Sequence, residues 1–473
     1  MNRFALACLA AAAALAACSG GGGSDSSPPP QTPAATPPSS DDDPGPIVLG
    51  AEPQRTGDPA KGRDALLNQP YVPCGIPDSA FSQAFGSPPA NEIVDGRSGR
   101  NATLPYNFTA YTTKDGVALV TSNCLQCHAG FMQGKLVVGL GATDTDYTQD
   151  QSQFADAASF LVKDPKETAE LQKWQHRVDT IAPYATLSTR GPNPADEFTA
   201  VLFAHHDPHT LAWSEKPLID VPPAMDVPVD VPPWWRMKKK TSMFYTGAGR
   251  GDHARIMMTA SVLCTSSVEE SQAIDAYFPD IRAFITSLEA PKWPFAVDAA
   301  LAEKGRPIFE QTCASCHGTY GDTPTYPNEV IPVADVGTDG LLSAGAAEFA
   351  PAVVAWYKQS FFGQLARLEP QRGYVAPPLD GIWATAPYLH NGSVPTLAAL
   401  LDSGTRPTYW TRTFDSNDYD PQTLGWKFTT PASKTDASVY DTTKTGYSNA
   451  GHTFGDALSA GDRAAVLEYL KTL

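Results

Sequence analysis

Two Cys-x-x-Cys-His motifs lie far apart in this chain, at residues 124–128 and 313–317. Two thiols at this spacing can bond to the two vinyl groups on one edge of a haem, and the adjacent histidine then reaches the iron. One such motif is also compatible with a redox-active dithiol, whereas two motifs that both end in Cys-His favour two covalently bound c-type haems. The predicted attachment residues are Cys124, Cys127, His128, Cys313, Cys316 and His317.

The N-terminal residues indicate export. Arg3 precedes an apolar run over residues 4–15, which is too short to span a membrane and is typical of a signal peptide over residues 1–17. The sequence Leu-Ala-Ala-Cys that ends at Cys18 resembles a bacterial lipoprotein cleavage site, so Cys18 is the predicted lipidation site, with ordinary cleavage nearby as the alternative. We expect an exported, lipid-anchored protein at the outer membrane, facing the periplasm or the cell surface.

The next stretch has the composition of a tether. Residues 19–46 are largely Gly, Ser, Pro and Asp, and such a segment has too little apolar surface to form a core. We predict a disordered tether over residues 18–46, followed by a folded part long enough for two domains. Two cysteines of that part, Cys74 and Cys264, either pair as a disulfide, which an oxidising compartment permits, or stay free and buried.

The second motif follows a predicted helix. Residues 298–311 place apolar side chains on one face, and the small Gly305 lets another backbone approach closely. A second helix begins after Ser459, which is a good N-cap. A helix that leads into Cys-x-x-Cys-His and a closing helix that packs across it form the pattern of a small cytochrome c, in which we expect Phe309 to contact Tyr469.

The first half repeats this arrangement. Asp58-Pro59 predicts a helix with proline at its first position, and residues 268–288 form the closing unit, which Pro279 divides into two helices. Residues 290–294 have the composition of a linker. The predicted fold is mainly α, with two cytochrome c-like domains that carry long loop insertions. The predicted domains are residues 47–292 and 293–473.

The sixth ligand decides whether a haem transfers electrons or binds a small molecule. In the second domain, His390 and His452 are the histidines outside the motif. His452 lies in a loop just before the closing helix, where small cytochromes present their distal ligand, so it is the favoured ligand and His390 the alternative. No methionine follows Met258, which predicts two histidine ligands for the second haem.

In the first domain, no candidate for the distal ligand is favoured by its position in the sequence in the way that His452 is. His205, His206 and His209 form a dense cluster that is compatible with a metal site but more typical of a solvated loop. His176, His253 and several methionines are further candidates. We therefore expect an open or weakly ligated first haem.

Residues 232–245 combine aromatic and basic side chains. The aromatic residues can line an apolar pocket or pass electrons between haems, with ordinary core packing as the alternative. The basic residues can meet haem propionates or form a solvated turn. The aromatic residues are Trp234, Trp235, Phe244 and Tyr245, and the basic ones are Arg236, Lys238, Lys239 and Lys240.

With these motifs the chain resembles the di-haem cytochrome c peroxidase superfamily, which includes the MauG-type enzymes, and within it the rubber oxygenase branch. Besides the two haem motifs, the resemblance rests on residues 243–258, 383–397 and 449–473, and above all on Tyr388-Leu389-His390-Asn391-Gly392-Ser393. The resemblance implies two cytochrome c-like domains, a reactive haem on His128 and an electron-transfer haem on His317 and His452.

The resemblance also implies residues around the haems. In the rubber oxygenases, aromatic residues lie near the haems, and Trp234 or Trp235 is the match in this chain. A phenylalanine lies over the open haem face of those enzymes, and Phe244 is its match. The chain is shorter than the rubber oxygenases. Those enzymes are released, whereas the predicted lipid anchor would hold this chain on a membrane. Peroxidases often place an acidic residue on the open haem face; Glu269 and Glu270 are merely nearby in sequence, and no acid is assigned to that role.

These observations predict a di-haem c-type oxidoreductase in which the first haem binds peroxide or dioxygen and the second transfers electrons. The alternative is a non-enzymatic, membrane-tethered di-haem electron-transfer cytochrome. The expected partners are an electron-donor cytochrome or other small redox protein, peroxide or dioxygen, and the membrane. The net charge of −17 argues against nucleic acid and suits a basic electron donor.

Overall fold

The computed structural model describes residues 45–348 and 350–473. The predicted signal peptide, Cys18 and nearly all of the tether lie outside the described residues. Within the described ranges, no helix is both long and apolar enough to cross a bilayer. The helices are α1 (Pro59–Asn68), α2 (Asp78–Phe85), α3 (Leu125–His128), α4 (Ser152–Ser159), α5 (Pro165–Ile181), α6 (Ala195–Ala204), α7 (His253–Met257), α8 (Val268–Asp275), α9 (Phe278–Ser287), α10 (Ala299–Thr312), α11 (Ala314–His317), α12 (Val333–Val336), α13 (Leu341–Glu348), α14 (Ala350–Gln359), α15 (Leu397–Leu401) and α16 (Ala460–Leu470).

The strands are short and form several small sheets. β2, β4 and β3 form one antiparallel sheet, and β1, β8 and β10 form another. The remaining strands form the pairs β5–β6, β7–β9, β11–β14 and β12–β13. The strands are β1 (Ile47–Val48), β2 (Ile76–Pro77), β3 (Phe108–Thr112), β4 (Ala118–Ser122), β5 (Ala129–Met132), β6 (Lys135–Val138), β7 (Gly249–Gly251), β8 (Glu329–Pro332), β9 (Ala366–Leu368), β10 (Gly373–Val375), β11 (Tyr409–Trp410), β12 (Tyr419–Asp420), β13 (Gly425–Trp426) and β14 (Tyr440–Asp441).

The prediction of a mainly α fold is wrong. The protein is about 39% helical and 12% strand, so it is a mixed α/β fold. Four of the missed strands, β11 to β14, lie within residues 409–448 of the second predicted domain. Strands of two to five residues between turns leave too short a run for a period of two to be recognised.

The helix pair predicted around the second motif is present. Asp298 caps α10 by accepting hydrogen bonds from Ala300 N and Leu301 N, and α10 crosses α16. A Cβ atom on Gly305 would lie 2.0 Å from the carbonyl oxygen of Ala465, so the crossing requires glycine. The rings of Phe309 and Tyr469 lie 5.3 Å apart, which confirms the predicted contact.

The first half contains the matching pair, α1 and α9. Asp58 caps α1, and Pro59 occupies its first turn, as predicted. A Cβ atom on Gly62 would lie 1.8 Å from the carbonyl oxygen of Asp280, so this crossing is as close as the one at Gly305. The break between α8 and α9 falls just before Pro279, which confirms the predicted division.

Two main hydrophobic cores surround these helix pairs. Each core contains side chains from both halves of the chain. Trp356 and Phe362, from the C-terminal half, lie in the core that contains α1 and α9. Met132 and Trp235, from the N-terminal half, lie in the core that contains α10 and α16. The domain boundary near residue 292 stays a prediction. Each of the two cores contains residues from both sides of it.

A disulfide joins Cys74 to Cys264, with the two Cα atoms 5.6 Å apart. The bond links the segment after α1 to the segment before α8, and both cysteines are fully buried. Of the two alternatives for these cysteines, pairing is the one that occurs. The disulfide closes a loop that contains α3 and therefore the first Cys-x-x-Cys-His motif.

Candidate functional site

The second motif presents His317 in the form that a metal requires. The Nδ1 atom lies 2.8 Å from the carbonyl oxygen of Pro377, and because a carbonyl only accepts, Nδ1 carries the proton and Nε2 is left for a metal. Burial lowers the pKa of His317, which favours the neutral imidazole that metal ligation needs.

His452 lies opposite His317, with 6.2 Å between the ring centroids. A metal ion bonded to one nitrogen of each ring at about 2 Å fits between rings at this separation. Burial lowers the pKa of His452 to about 4, so its imidazole is also neutral. The Arg406 guanidinium donates to the carbonyl oxygens of Gly451 at 2.6 Å and His452 at 3.0 Å, which fixes the loop that presents the ring.

The other candidate, His390, lies in different surroundings. Its ring stacks on Tyr374 at 4.0 Å and meets Tyr245 edge-on at 6.2 Å. Burial lowers the pKa of His390 to about 3. Among the described residues its ring contacts are with tyrosines and not with His317, so the geometry favours His452 over His390 as the prediction for the sixth ligand.

The first motif places His128 against an aromatic wall. Its ring stacks on Trp234, with centroids 4.8 Å apart and the planes 22° from parallel. Protein atoms cover Nδ1, which leaves Nε2 to reach a metal. Burial lowers the pKa of His128 to about 4, partly offset by the Pro232 carbonyl, so this imidazole is neutral as well.

The motif cysteines lack the properties of a redox dithiol. Burial, followed by the neighbouring Cys127, raises the pKa of Cys124 to about 12, and burial raises the pKa of Cys313 to about 11. Catalytic dithiols have lowered pKa values because the thiolate is the nucleophile. All four motif cysteines are free of disulfides, so each pair of sulfurs, beside a neutral histidine, fits covalent attachment of a haem.

The histidine cluster of the first half is structural. His206 is fully buried, and its two ring nitrogens face the carbonyl oxygens of Leu202 at 2.6 Å and Thr265 at 3.1 Å. His205 stacks on Trp213 at 5.0 Å. The expectation of a solvated loop is wrong for these two residues because Trp213 covers them. Within the described ranges, no group of three His, Cys, Asp or Glu side chains is arranged to hold a metal ion.

The remaining first-half histidines also lie apart from His128. His176 forms a hydrogen bond with Glu215 at the surface, and His209 is exposed. His253 is buried in α7, where protein atoms cover both ring nitrogens without a hydrogen-bond partner. Among the described residues no second histidine ring contacts His128, in contrast to the pair formed by His317 and His452.

Trp234 and Trp235 point into different cores. Trp234 lies in the first core against His128, whereas Trp235 lies in the second core. The indole Nε1 of Trp235 donates to the carbonyl oxygen of Asp380 at 2.8 Å, three residues after the Pro377 carbonyl that holds His317. Adjacent residues of the chain therefore lie in the two cores, Trp234 against His128 and Trp235 against the segment whose Pro377 carbonyl holds His317.

Phe244 and the basic residues differ from one another in their exposure to solvent and in their contacts. Phe244 is 38% exposed and has a φ of +67°, and its ring packs beside Gly249; its position over the first haem stays a prediction. Lys238 pairs with Glu289 and Lys239 with Asp380. Arg236 is buried and donates to the Asp380 carbonyl at 3.2 Å, so the basic run is only partly a solvated turn.

Sequence reasoning missed Asp196, in the first turn of α6. Asn193 begins this turn: its Oδ1 accepts from Ala195 N at 2.8 Å, and its Nδ2 donates to Cys127 Sγ at 3.2 Å. The Asp196 side chain is exposed, yet burial raises its pKa to about 6. Asp196 lies three residues after Asn193, the residue that contacts the first motif.

Two motifs with neutral histidines and paired sulfurs define a haem-binding cytochrome. A family model described as RoxA-like, cytochrome c-like matches residues 373–411, which supports a relationship to RoxA-like cytochromes. Two proteins of Sinorhizobium fredii are also similar. The uncharacterized protein y4iJ is 30% identical over 46% of this chain and 47% of its own length. The uncharacterized protein y4iM is 29% identical over 49% of this chain and 58% of its own length. The chain thus spans about half the length of the curated relatives it matches.

Proposed function

We propose that this chain is a di-haem c-type oxidoreductase that reduces peroxide at the haem on His128, with electrons supplied through the haem on His317. The observation that carries the proposal is the contrast between the two motifs: the ring of His452 faces His317, whereas the ring that stacks on His128 is that of Trp234. When bound, the first haem supplies an iron that binds peroxide and accepts electrons. The protein supplies the acid and base, the electron path and the exclusion of water.

The unequal surroundings of the two motifs support this division of roles. His452 faces His317 at a separation that suits one iron between two imidazoles, and a haem with two protein ligands transfers electrons. No second histidine contacts His128 among the described residues, which favours an open face for a small molecule. The alternative of a plain electron carrier requires a strong sixth ligand at both haems.

Asp196 has the pKa of a group that can both take and return a proton near neutral pH. A general acid or base works best when its pKa lies close to the working pH, and burial raises the pKa of Asp196 to about 6. The carboxylate takes a proton from the incoming peroxide and returns it to the oxygen that leaves as water. Overall, one peroxide, two protons and two electrons give two waters.

Trp234 and Trp235 offer the path for the electrons. Trp235 donates to the Asp380 carbonyl near the Pro377 carbonyl that holds His317, and Trp234 stacks on His128. At the outer end, Phe454 is 47% exposed, and its ring meets that of His452 edge-on at 5.3 Å. A small basic redox protein suits this end of an acidic chain with a net charge of −17. Lipidation of Cys18 would hold the enzyme at the outer membrane.

Electron paramagnetic resonance of the oxidised protein tests the proposal. We expect one high-spin and one low-spin haem, and turnover of hydrogen peroxide with a reduced small cytochrome. Two low-spin haems in every redox state would contradict the proposal and favour the electron carrier. A high-spin haem that leaves peroxide intact but consumes dioxygen with an alkene substrate would favour the oxygenase alternative.

A further inference from the structure

We propose that a cavity between the two halves of the chain binds one small anion of the size of chloride, held by Arg190 and Arg412. The inference is independent of the proposed peroxide reduction. The cavity has a volume of about 20 Å³, which is room for one water molecule or one small ion when polar groups surround it. Its lining includes Thr143 and Arg190 from the first half of the chain, and Arg412, Phe414 and Ser438 from the second.

The two guanidinium groups share one aromatic ring. The guanidinium carbon of Arg190 lies 4.2 Å from the centroid of the Phe414 ring, and that of Arg412 lies 4.5 Å from it. Arg412 also lies over the ring of Trp426, at 4.2 Å. Aromatic rings cover the flat face of a guanidinium, so the N–H groups at its edge are the ones left to bind an anion.

Both arginines use only part of their hydrogen-bonding capacity on the protein. Arg190 donates through Nε to the carbonyl oxygen of Asp144 at 2.9 Å. Arg412, which is 9% exposed, donates through Nη2 to the carbonyl oxygen of Thr143 and to its hydroxyl at 3.0 Å. These contacts engage one nitrogen of each group, whereas a guanidinium has five N–H donors. Within the described ranges no carboxylate forms an ion pair with either arginine, so donors and charge are both left for a ligand.

The charges around the cavity favour an anion. Asp230 is the one carboxyl side chain among the lining residues. Burial raises the pKa of Asp230 well above its ordinary value, although Arg236 and Arg412 act in the opposite direction, so this carboxyl is protonated. Burial lowers the pKa of Arg412 to about 9, which still leaves it charged at neutral pH. Two cations without an ionised partner repel each other, and a bound anion removes that repulsion.

The position of the cavity beside Cys127 favours an anion from solution over a haem propionate. Asn193, which follows the lining residue Pro192, donates to Cys127 Sγ at 3.2 Å. Ala142, which precedes the lining residue Thr143, donates its backbone N–H to the Cys127 carbonyl oxygen at 2.8 Å. The cysteines of the motif bond to the vinyl edge of a haem, and the propionates lie on the opposite edge. The carboxylates of the haem therefore point away from the two arginines.

Thermal unfolding of the haem-loaded protein measures the affinity. Chloride replaces gluconate, which is too large for the cavity, at constant ionic strength. We expect chloride to raise the unfolding midpoint, because a ligand that binds the folded form alone stabilises it. Arg190→Gln and Arg412→Gln should each weaken the apparent chloride affinity by about tenfold or more, since each removes a charged donor. Arg372→Gln is the matched control, because Arg372 is exposed and its loss changes the net charge by the same amount.

Anomalous diffraction from crystals grown in bromide locates the ion. We expect a bromide within hydrogen-bonding distance of Arg190 and Arg412 in the wild type and none there in Arg190→Gln. Arg190→Gln alone decides the question if Arg412→Gln fails to fold. A chloride affinity in Arg190→Gln equal to that of the wild type would overturn the proposal, because a halide bound elsewhere, such as at a haem iron, would be unaffected by this change. A wild-type cavity that contains a haem propionate or no bromide would overturn it as well.

Discussion

Asp196 is the residue to which the proposed function assigns the proton transfer at the first motif. We predict that Asp196→Asn lowers the rate constant for the reaction with peroxide by about 10²–10⁴-fold, because an amide cannot take the proton. In the wild type this rate constant should rise as the pH increases through about 6, the value to which burial raises the pKa of Asp196, since the carboxylate is the active base. Stopped-flow mixing with peroxide from pH 5 to 8 measures both effects.

The control for this variant is Asp220→Asn. Asp220 is exposed, so its loss changes the net charge by the same amount without touching the first motif. We expect wild-type rates and an unchanged pH profile for the control. A pH limb near 6 that persists in Asp196→Asn would assign the titration to another group and contradict the proposed role of Asp196.

The second residue-scale prediction separates His452 from His390. Replacing His452 with alanine should convert the second haem from low spin to high spin, because the neutral imidazole opposite His317 is lost. His390→Phe should leave the spin state unchanged, since the His390 ring packs on Tyr374. Electronic spectra and paramagnetic resonance of the oxidised variants measure this. A low-spin second haem in the His452 variant would move the assignment to His390.

At the scale of elements, the crossing of α10 and α16 depends on Gly305. We predict that Gly305→Ala lowers the free energy of unfolding by about 1–3 kcal/mol. Its Cβ would lie 2.0 Å from the Ala465 carbonyl oxygen and force the helices apart. Gly461→Ala is the control, because its Cβ would lie 3.8 Å from Ser459 Oγ, an ordinary contact. Denaturant unfolding followed by haem absorbance compares the two, and equal stabilities would contradict the close crossing.

The helices were predictable from the sequence because their ends carry local signals. Asp58, Asp298 and Ser459 each cap the helix that the sequence indicates, since a side-chain oxygen can satisfy the free amides of a first turn wherever the helix lies in the fold. The strands were not predictable in the same way. β12 and β13 are two residues each and depend on each other for their hydrogen bonds.

At the scale of the whole molecule, the two Cys-x-x-Cys-His motifs could be located in advance, but the surroundings of their histidines could not. The two thiols and the histidine of each motif are close in sequence, so spacing alone identifies them. Asn193, three residues before Asp196, contacts Cys127 across 66 residues of sequence. Likewise, Trp235 enters the second core from the first half of the chain. Neither placement produces a periodic or local pattern in the sequence.

The disulfide between Cys74 and Cys264 gives the last prediction, at the same scale. The bond spans a sequence separation of 190 and restricts the unfolded chain, so the Cys74→Ser/Cys264→Ser variant should lose on the order of 5 kcal/mol of stability. A thiol reductant should have the same effect on the wild type, because it opens a disulfide but not the thioether bonds of a haem. Guanidinium unfolding with and without reductant measures this loss. Because neither cysteine is part of the proposed electron path, the folded variant should reduce peroxide at the wild-type rate. An unchanged unfolding midpoint would show that the folded state does not depend on this bond.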